Sequence, residues 1–117
     1  MILESIGSCP LADGIISEIT IRTDQVVVKY KSWNDKDFDI VFNNSLGLNN
    51  YRAVGNVVSH IEILKDGKDQ HMRHCQTLSE RALESELVEL KMYLFIEAWG
   101  TCSILEVYAS DVVVLEN

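Results

Sequence analysis

Hydrophobic and polar residues alternate along most of this chain, which is the pattern of β-strands that bury one face. The alternation is clearest in residues 37–43, where Phe38, Ile40 and Phe42 are predicted to face a core while the intervening Asp residues face solvent. Residues 26–33 repeat the pattern and are rich in β-branched and aromatic side chains, which favour strands. The pattern therefore predicts a chain built mainly of short strands.

About six or seven segments fit a strand. They are residues 14–23, 26–33, 37–43, 54–64, 90–99, 103–108 and 112–115. The first three are joined by short turns, which predicts an antiparallel meander. The spacing in residues 90–99 fits a helix or a strand, and their aromatic and β-branched content favours the strand.

Alternation also predicts which side chains share a face within individual strands. In the first strand, Ile15, Ile19 and Ile21 are predicted to share one face, and Ile16 lies on the other. In the second strand, Val26, Val28 and Tyr30 share a face. In the fourth, Val57, Ile61 and Ile63 share a face.

Two segments depart from the strand pattern. Residues 43–50 are rich in Asn and Gly, which tolerate left-handed backbone angles, so they predict the longest loop. From residue 77 the leucines follow helical spacing, which predicts one short amphipathic helix capped by Thr77 or Ser79, with an acidic outer face. The helical leucines are Leu78, Leu83, Leu87 and Leu90, and the acidic residues are Glu80, Glu84, Glu86 and Glu89.

These elements predict a mainly β (α+β) fold, either an antiparallel sandwich or a strongly curled sheet of about six to seven strands with one short helix. Strands and helices do not alternate as a parallel doubly wound sheet requires. A chain of 117 residues is the usual size of one domain, so residues 1–117 are predicted to fold as a single unit.

The chain is acidic, with 18 Asp and Glu against 10 Lys and Arg and a formal net charge of -8. This charge repels nucleic acid phosphates and anionic lipids and attracts a cationic protein. Solubility is a competing explanation of the same charge. The sequence therefore predicts no direct nucleic-acid or membrane partner.

Three widely spaced cysteines predict free thiols in a reducing compartment. The first residues lack the basic and apolar stretches of a secretion signal, and no segment has 18 consecutive apolar residues. We therefore expect the protein to reside in the cytoplasm.

The segment His71 to Cys75 contains residue types that bind zinc, since imidazole and thiolate are good ligands. A closed site needs four ligands, and only Cys9 or Cys102 is left to complete one, outside any Cys-x-x-Cys pair. The expected interpretation is a polar loop, without a metal or cofactor.

Catalytic arrangements are equally unsupported by local motifs. Cys75 or Cys102 paired with His60 or His74 would make an activated thiolate only if the fold brought them together. Three glutamates on separate strands would make an acid and base pair on the same condition. These glutamates are Glu62, Glu97 and Glu106. The chain is therefore predicted not to be an enzyme and to have no catalytic residues.

The most specific candidate for binding is a tryptophan that precedes a turn dense in carboxylates. Trp and Tyr are favoured as anchors in protein interfaces, and neighbouring carboxylates can pair with a basic partner. The predicted partner-binding residues are Trp33, Asp35, Asp37 and Asp39 in this segment, with Tyr51 in the Asn-rich loop and Trp99 beside the Gly100 turn. The alternative is that Trp33 and Trp99 cap the ends of the core.

The order of these segments resembles small bacterial immunity proteins of contact-dependent growth inhibition and polymorphic toxin systems. The resemblance is based on residues 30–35, Phe38, Phe42, Gly47, Leu48, Tyr51, Gly55, Ser59 and residues 105–112. It implies a cytoplasmic, non-enzymatic inhibitor that binds one cognate toxin domain, expected to be a basic nuclease, and occludes its active site or substrate groove. Because such proteins share no universal motif, no functional residue is transferred from them.

Two other classes of function remain open. A small-molecule binding module or minor enzyme would place a pocket inside the sheet. A self-assembling structural protein would associate through an exposed strand, which the charged outer strands argue against. The oligomeric state and the activity of the toxin are not specified by the sequence.

Overall fold

The computed structural model describes residues 2–45, 47–64, 77–78, 91–100 and 102–117. All regular secondary structure in these ranges is β-strand. The strands are β1 (Ile2–Leu3), β2 (Ser5–Ile6), β3 (Cys9–Pro10), β4 (Gly14–Ile21), β5 (Gln25–Lys31), β6 (Asp37–Asn43), β7 (Gly47–Asn50), β8 (Val57–Leu64), β9 (Thr77–Leu78), β10 (Lys91–Glu97), β11 (Ser103–Ala109) and β12 (Asp111–Glu116).

The mainly antiparallel β fold predicted from the sequence is confirmed, while the predicted number of strands is too low. The seven longest strands coincide with the predicted segments, including β10, where the strand interpretation is correct. The additional strands have only two to four residues, too few for a periodic pattern. Thr77 lies in β9 and so does not begin a helix, and the rest of the predicted helix, residues 79–90, lies outside the described ranges.

One 10-stranded sheet contains all strands except β2 and β3, which pair with each other. Its order is β12-β6-β5-β4-β8-β10-β11-β7-β9, and every pairing is antiparallel. Outside this order, β1 pairs with residues 61–62 of β8, whereas β4 pairs with residues 57–58 of the same strand. The predicted meander is β4-β5-β6.

Two short connections, between β6 and β7 and between β11 and β12, link strands from different parts of the sheet. β6 and β7 are separated by only three residues, and β11 and β12 only by Ser110. β6 pairs with β12 and β7 with β11, and between the two connections Asn44 Nδ2 donates to Ser110 Oγ over 3.0 Å. Because β6 also pairs with β5 and β11 with β10, the chain of pairings closes. The order of the pairings is therefore that of one continuous antiparallel sheet that curls back on itself.

The core fills the inside of this curl with aromatic and aliphatic side chains. The Phe42 ring lies 5.0 Å from that of Tyr93 and 5.9 Å from that of Phe95, measured between centroids. The predicted inward faces of β5 and β6 are confirmed, with all six side chains buried. These side chains are Val26, Val28, Tyr30, Phe38, Ile40 and Phe42.

The predicted faces of β4 and β8 are wrong because each strand contains a β-bulge. In β4, Ile16 is fully buried and Ile15 is exposed, and the pairing with β5 skips Ser17. In β8, Val58 is fully buried beside Ile61, and the pairing with β10 skips Ser59. One extra residue moves all later side chains to the other face, which a strict alternation cannot anticipate.

The predicted loop at residues 43–50 is also partly wrong. Asn43 ends β6, and Gly47–Asn50 forms β7, which pairs with β11. Asn49 is fully buried, and its Nδ2 donates to Glu106 Oε1 over 3.0 Å. Backbone pairing on both sides of β7 and this side-chain hydrogen bond outweigh the turn preference of Asn and Gly.

Candidate partner-binding surface

The β5–β6 turn holds Trp33 in solvent. Ser32 N donates to Lys36 O over 2.9 Å and Asp35 N to Ser32 O over 3.1 Å, while Lys36 N bonds the Ser32 hydroxyl. Asp35 adopts a left-handed φ of 61°, which Asp tolerates better than most residues. Within this fixed turn Ser32 is buried, and Trp33 is 67% exposed.

The β10–β11 turn holds the second tryptophan in a similar way. Glu97 N donates to Cys102 O over 3.1 Å, and Ala98 N donates to Val57 O over 3.0 Å, which ties the turn to the start of β8. Trp99 is 94% exposed. Neither Trp33 nor Trp99 therefore caps the core, and the alternative interpretation of these residues is excluded.

One line of paired residues connects the two turns across the outer surface of the sheet. Asp37 pairs with Lys31, Lys31 with Ile15 and Ile15 with Val57, and Val57 accepts the hydrogen bond from Ala98. Directly opposed residues in antiparallel strands point to the same face. We call this line the cross-strand row. With neighbouring strands about 4.8 Å apart, it is about 19 Å long.

The two tryptophans lie at opposite ends of the cross-strand row. Trp33 belongs to the turn that links Lys31 to Asp37, and Trp99 follows Ala98. The fold thus places three of the predicted binding residues, Trp33, Asp35 and Asp37, at one end and Trp99 at the other.

The remaining predicted residues, Tyr51 and Asp39, lie outside the row. Tyr51 is partly exposed, donates its backbone N–H to Ile104 O, and begins the loop that leads into Val57. Asp39 lies two residues beyond Asp37 on β6, is half-buried, and accepts a 3.1 Å hydrogen bond from Asn117 Nδ2. The sequence pattern placed Ile15 on a face with Ile19 and Ile21 and did not predict it as a binding residue, and in the fold it is exposed within the row.

The loop between β7 and β8 has a fixed backbone. Arg52 adopts a φ of 59°, a left-handed conformation that is uncommon for a long side chain and costs about 1 to 3 kcal/mol. Asn50 Oδ1 accepts from Ala53 N over 3.0 Å, and Gly55 N donates to Ile16 O over 2.8 Å. The loop thus presents Tyr51 and the exposed Val54 with little freedom to rearrange.

The charges around the Trp33 end have both signs. Lys31 Nζ lies 3.8 Å from Asp35 Oδ1, and Lys36 Nζ lies 3.8 Å from Glu116 Oε1. These ion pairs are exposed and contribute little to stability, so their side chains are available to a partner. The sequence predicted a turn dense in carboxylates, and in the fold Lys31 and Lys36 lie beside carboxylates at this end.

Of the candidate catalytic groups, His60 and Glu62 lie on the same strand, β8, and contact each other. Ser59 Oγ lies 3.0 Å from His60 Nδ1, and His60 Nε2 lies 3.4 Å from Glu62 Oε1, all along one strand. Glu62 and Glu106 both pair with Leu94, so a whole strand separates them.

The free cysteines occupy opposite environments. Cys9 is fully buried, and this burial raises the pKa of its thiol to about 11, which makes it unreactive. Cys102 is exposed beside the Trp99 turn. The predicted zinc candidates His71, His74 and Cys75 lie outside the described ranges, and the residues within them contain no group of three or more metal-binding side chains.

Across the ranges that the structure describes, no helix has the length and apolarity needed to cross a bilayer. Comparison with known proteins gives no relative: no family model matches the chain, and neither a curated protein nor a solved structure matches it significantly.

Proposed function

We propose that this protein is a cytoplasmic, non-enzymatic inhibitor of the immunity-protein type, which binds a cationic toxin domain such as a nuclease and covers its active site or substrate groove. The observation that supports this proposal is the exposure of Trp33 and Trp99 at the two ends of the cross-strand row. An exposed tryptophan loses a large apolar area from water when a partner covers it.

The size and shape of the surface suit a protein partner. A row of about 19 Å with an anchor at each end has the dimensions of a standard protein interface, in which a few aromatic residues supply most of the affinity. Asp35 and Asp37 lie beside one anchor, where they can pair with Lys or Arg of the toxin.

The net charge of -8 supports a cationic partner through its effect on association. Long-range attraction raises the association rate at low salt, and buried anchors slow dissociation. The lysines interleaved at the Trp33 end would then select among toxins, since a mismatched charge is repelled.

The interior of the sheet gives less support to a small-molecule site. Fully buried Tyr30, Phe38, Phe42 and Phe95 occupy the inside of the curl. A groove of about 360 Å³ lined by described residues opens on the outer face of the sheet. This arrangement favours a protein partner over an enclosed ligand.

Affinity capture with paired baits tests the proposal. The wild-type protein and the Trp33→Ala/Trp99→Ala variant are used as baits in lysate of the native host, with Ile2→Ala, an exposed apolar change on β1, as the control. We expect the wild type and the control to retain a basic protein that is toxic when produced alone, and the double variant to lose it. Retention by all three baits, or an acidic partner, would contradict the proposal.

A further inference from the structure

Strand β12 has one unpaired edge in the part of the chain that the structure describes. It pairs with β6 alone, whereas β4, β5, β6, β8, β10 and β11 each have partners on both sides. The centre of β12 is Val112, Val113, Val114 and Leu115, with carboxylates only at its ends. The centre of β12 therefore lacks the charges that were expected to prevent self-association through an outer strand. An uncharged edge is a template for pairing with another strand.

The backbone groups of β12 alternate between its two edges. Asn117 N donates to Asp37 O over 2.9 Å, which makes residue 117 and every second residue before it the donors to β6. The N–H groups of Val112 and Val114 therefore point to the opposite edge.

The outer face beside this edge is apolar and shallow. Val27 pairs with Val41 and Val41 with Val113, so three valines form one line that ends at the edge strand. Val27 and Val41 are each 8% exposed, while Val113 is 43% and Leu115 53% exposed. These side chains line the groove of about 360 Å³, with Arg22, Gln25, Asp39 and Asn43 at its rim.

We propose that two copies of this chain pair antiparallel through β12, about a two-fold axis at Val113. In this register Val113 faces Val113 of the second copy, and the line of three valines continues into the same line of that copy. Val112 of each copy faces Val114 of the other, so the backbone N–H groups that point to the open edge find carbonyl acceptors. Such a contact is isologous and closes as a dimer.

The charges of β12 fit this register. Each Asp111 faces Leu115 of the other copy and each Glu116 faces Ser110, so no carboxylate faces another directly. The contact is smaller than the roughly 800 Å² per partner of a standard interface, so the dimer is expected to be weak.

Sedimentation velocity of the protein alone, from low micromolar to millimolar concentration, measures this dimer. We expect the wild type to shift from monomer to dimer, and more so at high salt, because salt screens the repulsion between two acidic copies. Val113→Lys places like charges on the axis and should abolish the shift, whereas Ile2→Lys, the same change at an exposed position on β1, should retain it.

Two further variants test the register. Leu115→Lys faces Asp111 of the second copy and should keep the dimer, while Leu115→Glu should abolish it. Mixing Val113→Lys with Val113→Glu should restore a dimer that neither variant forms alone. A wild type that stays monomeric throughout, or Val113→Lys that dimerises as the wild type does, would overturn the proposal. Because no toxin is present, either result is independent of the proposed inhibitory function.

Discussion

At the scale of single residues, the buried tyrosine Tyr30 organises the end of the core next to the cross-strand row. Its hydroxyl donates to Leu11 O, and its ring lies directly against the backbone of Gly14. Cys9 is buried nearby. This packing couples the N-terminal segment to β4 and β5, which support the row at Ile15 and Lys31.

Gly14 is required by this packing, because a Cβ atom at position 14 would overlap the Tyr30 phenol. Gly14→Ala is expected to lower the free energy of unfolding by about 1 to 3 kcal/mol, the usual cost of overpacking a core. The control is Gly14→Ala in the Tyr30→Leu background, where the phenol that a Cβ at position 14 would meet is absent and the added loss should be smaller. Urea unfolding measures the change in both backgrounds, and equal losses would show that the Tyr30 contact does not matter.

Burial of the Cys9 thiol and the Tyr30 phenol predicts that the folded protein becomes less stable at alkaline pH. Burial raises the pKa of Cys9 from its usual 9.0 to about 11, and burial, together with the neighbouring Cys9, also raises the pKa of Tyr30. The unfolded chain loses these protons first, so folding stability is complete below about pH 9 and falls as the pH rises toward 11. The Cys9 contribution is at most roughly 2 to 3 kcal/mol.

Urea unfolding of the wild type and Cys9→Ala at about pH 8 and about pH 10.5 measures this effect. The wild type should lose more stability between the two pH values than the variant does. An identical loss in both proteins would assign the effect to other groups.

Among the strands, regular alternation in the sequence predicts both the position of a strand and which of its side chains face the core. Where a bulge interrupts the alternation, the strand is still predicted but some of its side chains are assigned to the wrong face. The pairing of β5 with β6 has no bulge, and the six side chains predicted to face the core are buried, although Val27 and Val41 on the other face are largely buried as well. The bulges at Ser17 and Ser59 have no sequence signature here, since Ser fits a strand, a bulge or a turn equally well. Each bulge shifts the alternation by one residue. Ile15 therefore does not share a face with Ile19, and Val57 does not share a face with Ile61.

The β5–β6 turn is the element whose charge is predicted to guide association. Reversing Asp35, Asp37 and Asp39 to Lys should slow association with the captured toxin at low salt and leave the fold intact, because it removes the attraction beside Trp33. A matched reversal of three other exposed carboxylates, Glu4, Asp24 and Asp111, gives the same net charge away from the row. Stopped-flow association rates compare the two. If both slow association equally, net charge alone is responsible and the turn is not in the interface.

At the scale of the whole molecule, the closure of the sheet was not predictable from sequence patterns. Residues 38–43 pair with residues 111–116 and residues 47–50 with residues 105–108, which are contacts between distant parts of the chain that no local periodicity encodes. The other pairings, of β4 with β5 and β8 and of β5 with β6, align Asp37, Lys31, Ile15 and Val57. The hydrogen bond from Ala98 to Val57 adds the second tryptophan turn to this row. Sequence reasoning identified Trp33 and Trp99 separately, and only the strand register relates them.

In the proposed function, both tryptophans contact one partner and no chemical reaction takes place. The most direct measurement is the dissociation rate of the captured toxin from the wild type, Trp33→Ala, Trp99→Ala and the double variant. Each single change should weaken binding by about 1 to 3 kcal/mol, the cost of removing an aromatic anchor, while unfolding by urea stays unchanged. Dissociation rates that do not change in either single variant, or turnover of a substrate by the purified protein, would contradict the account.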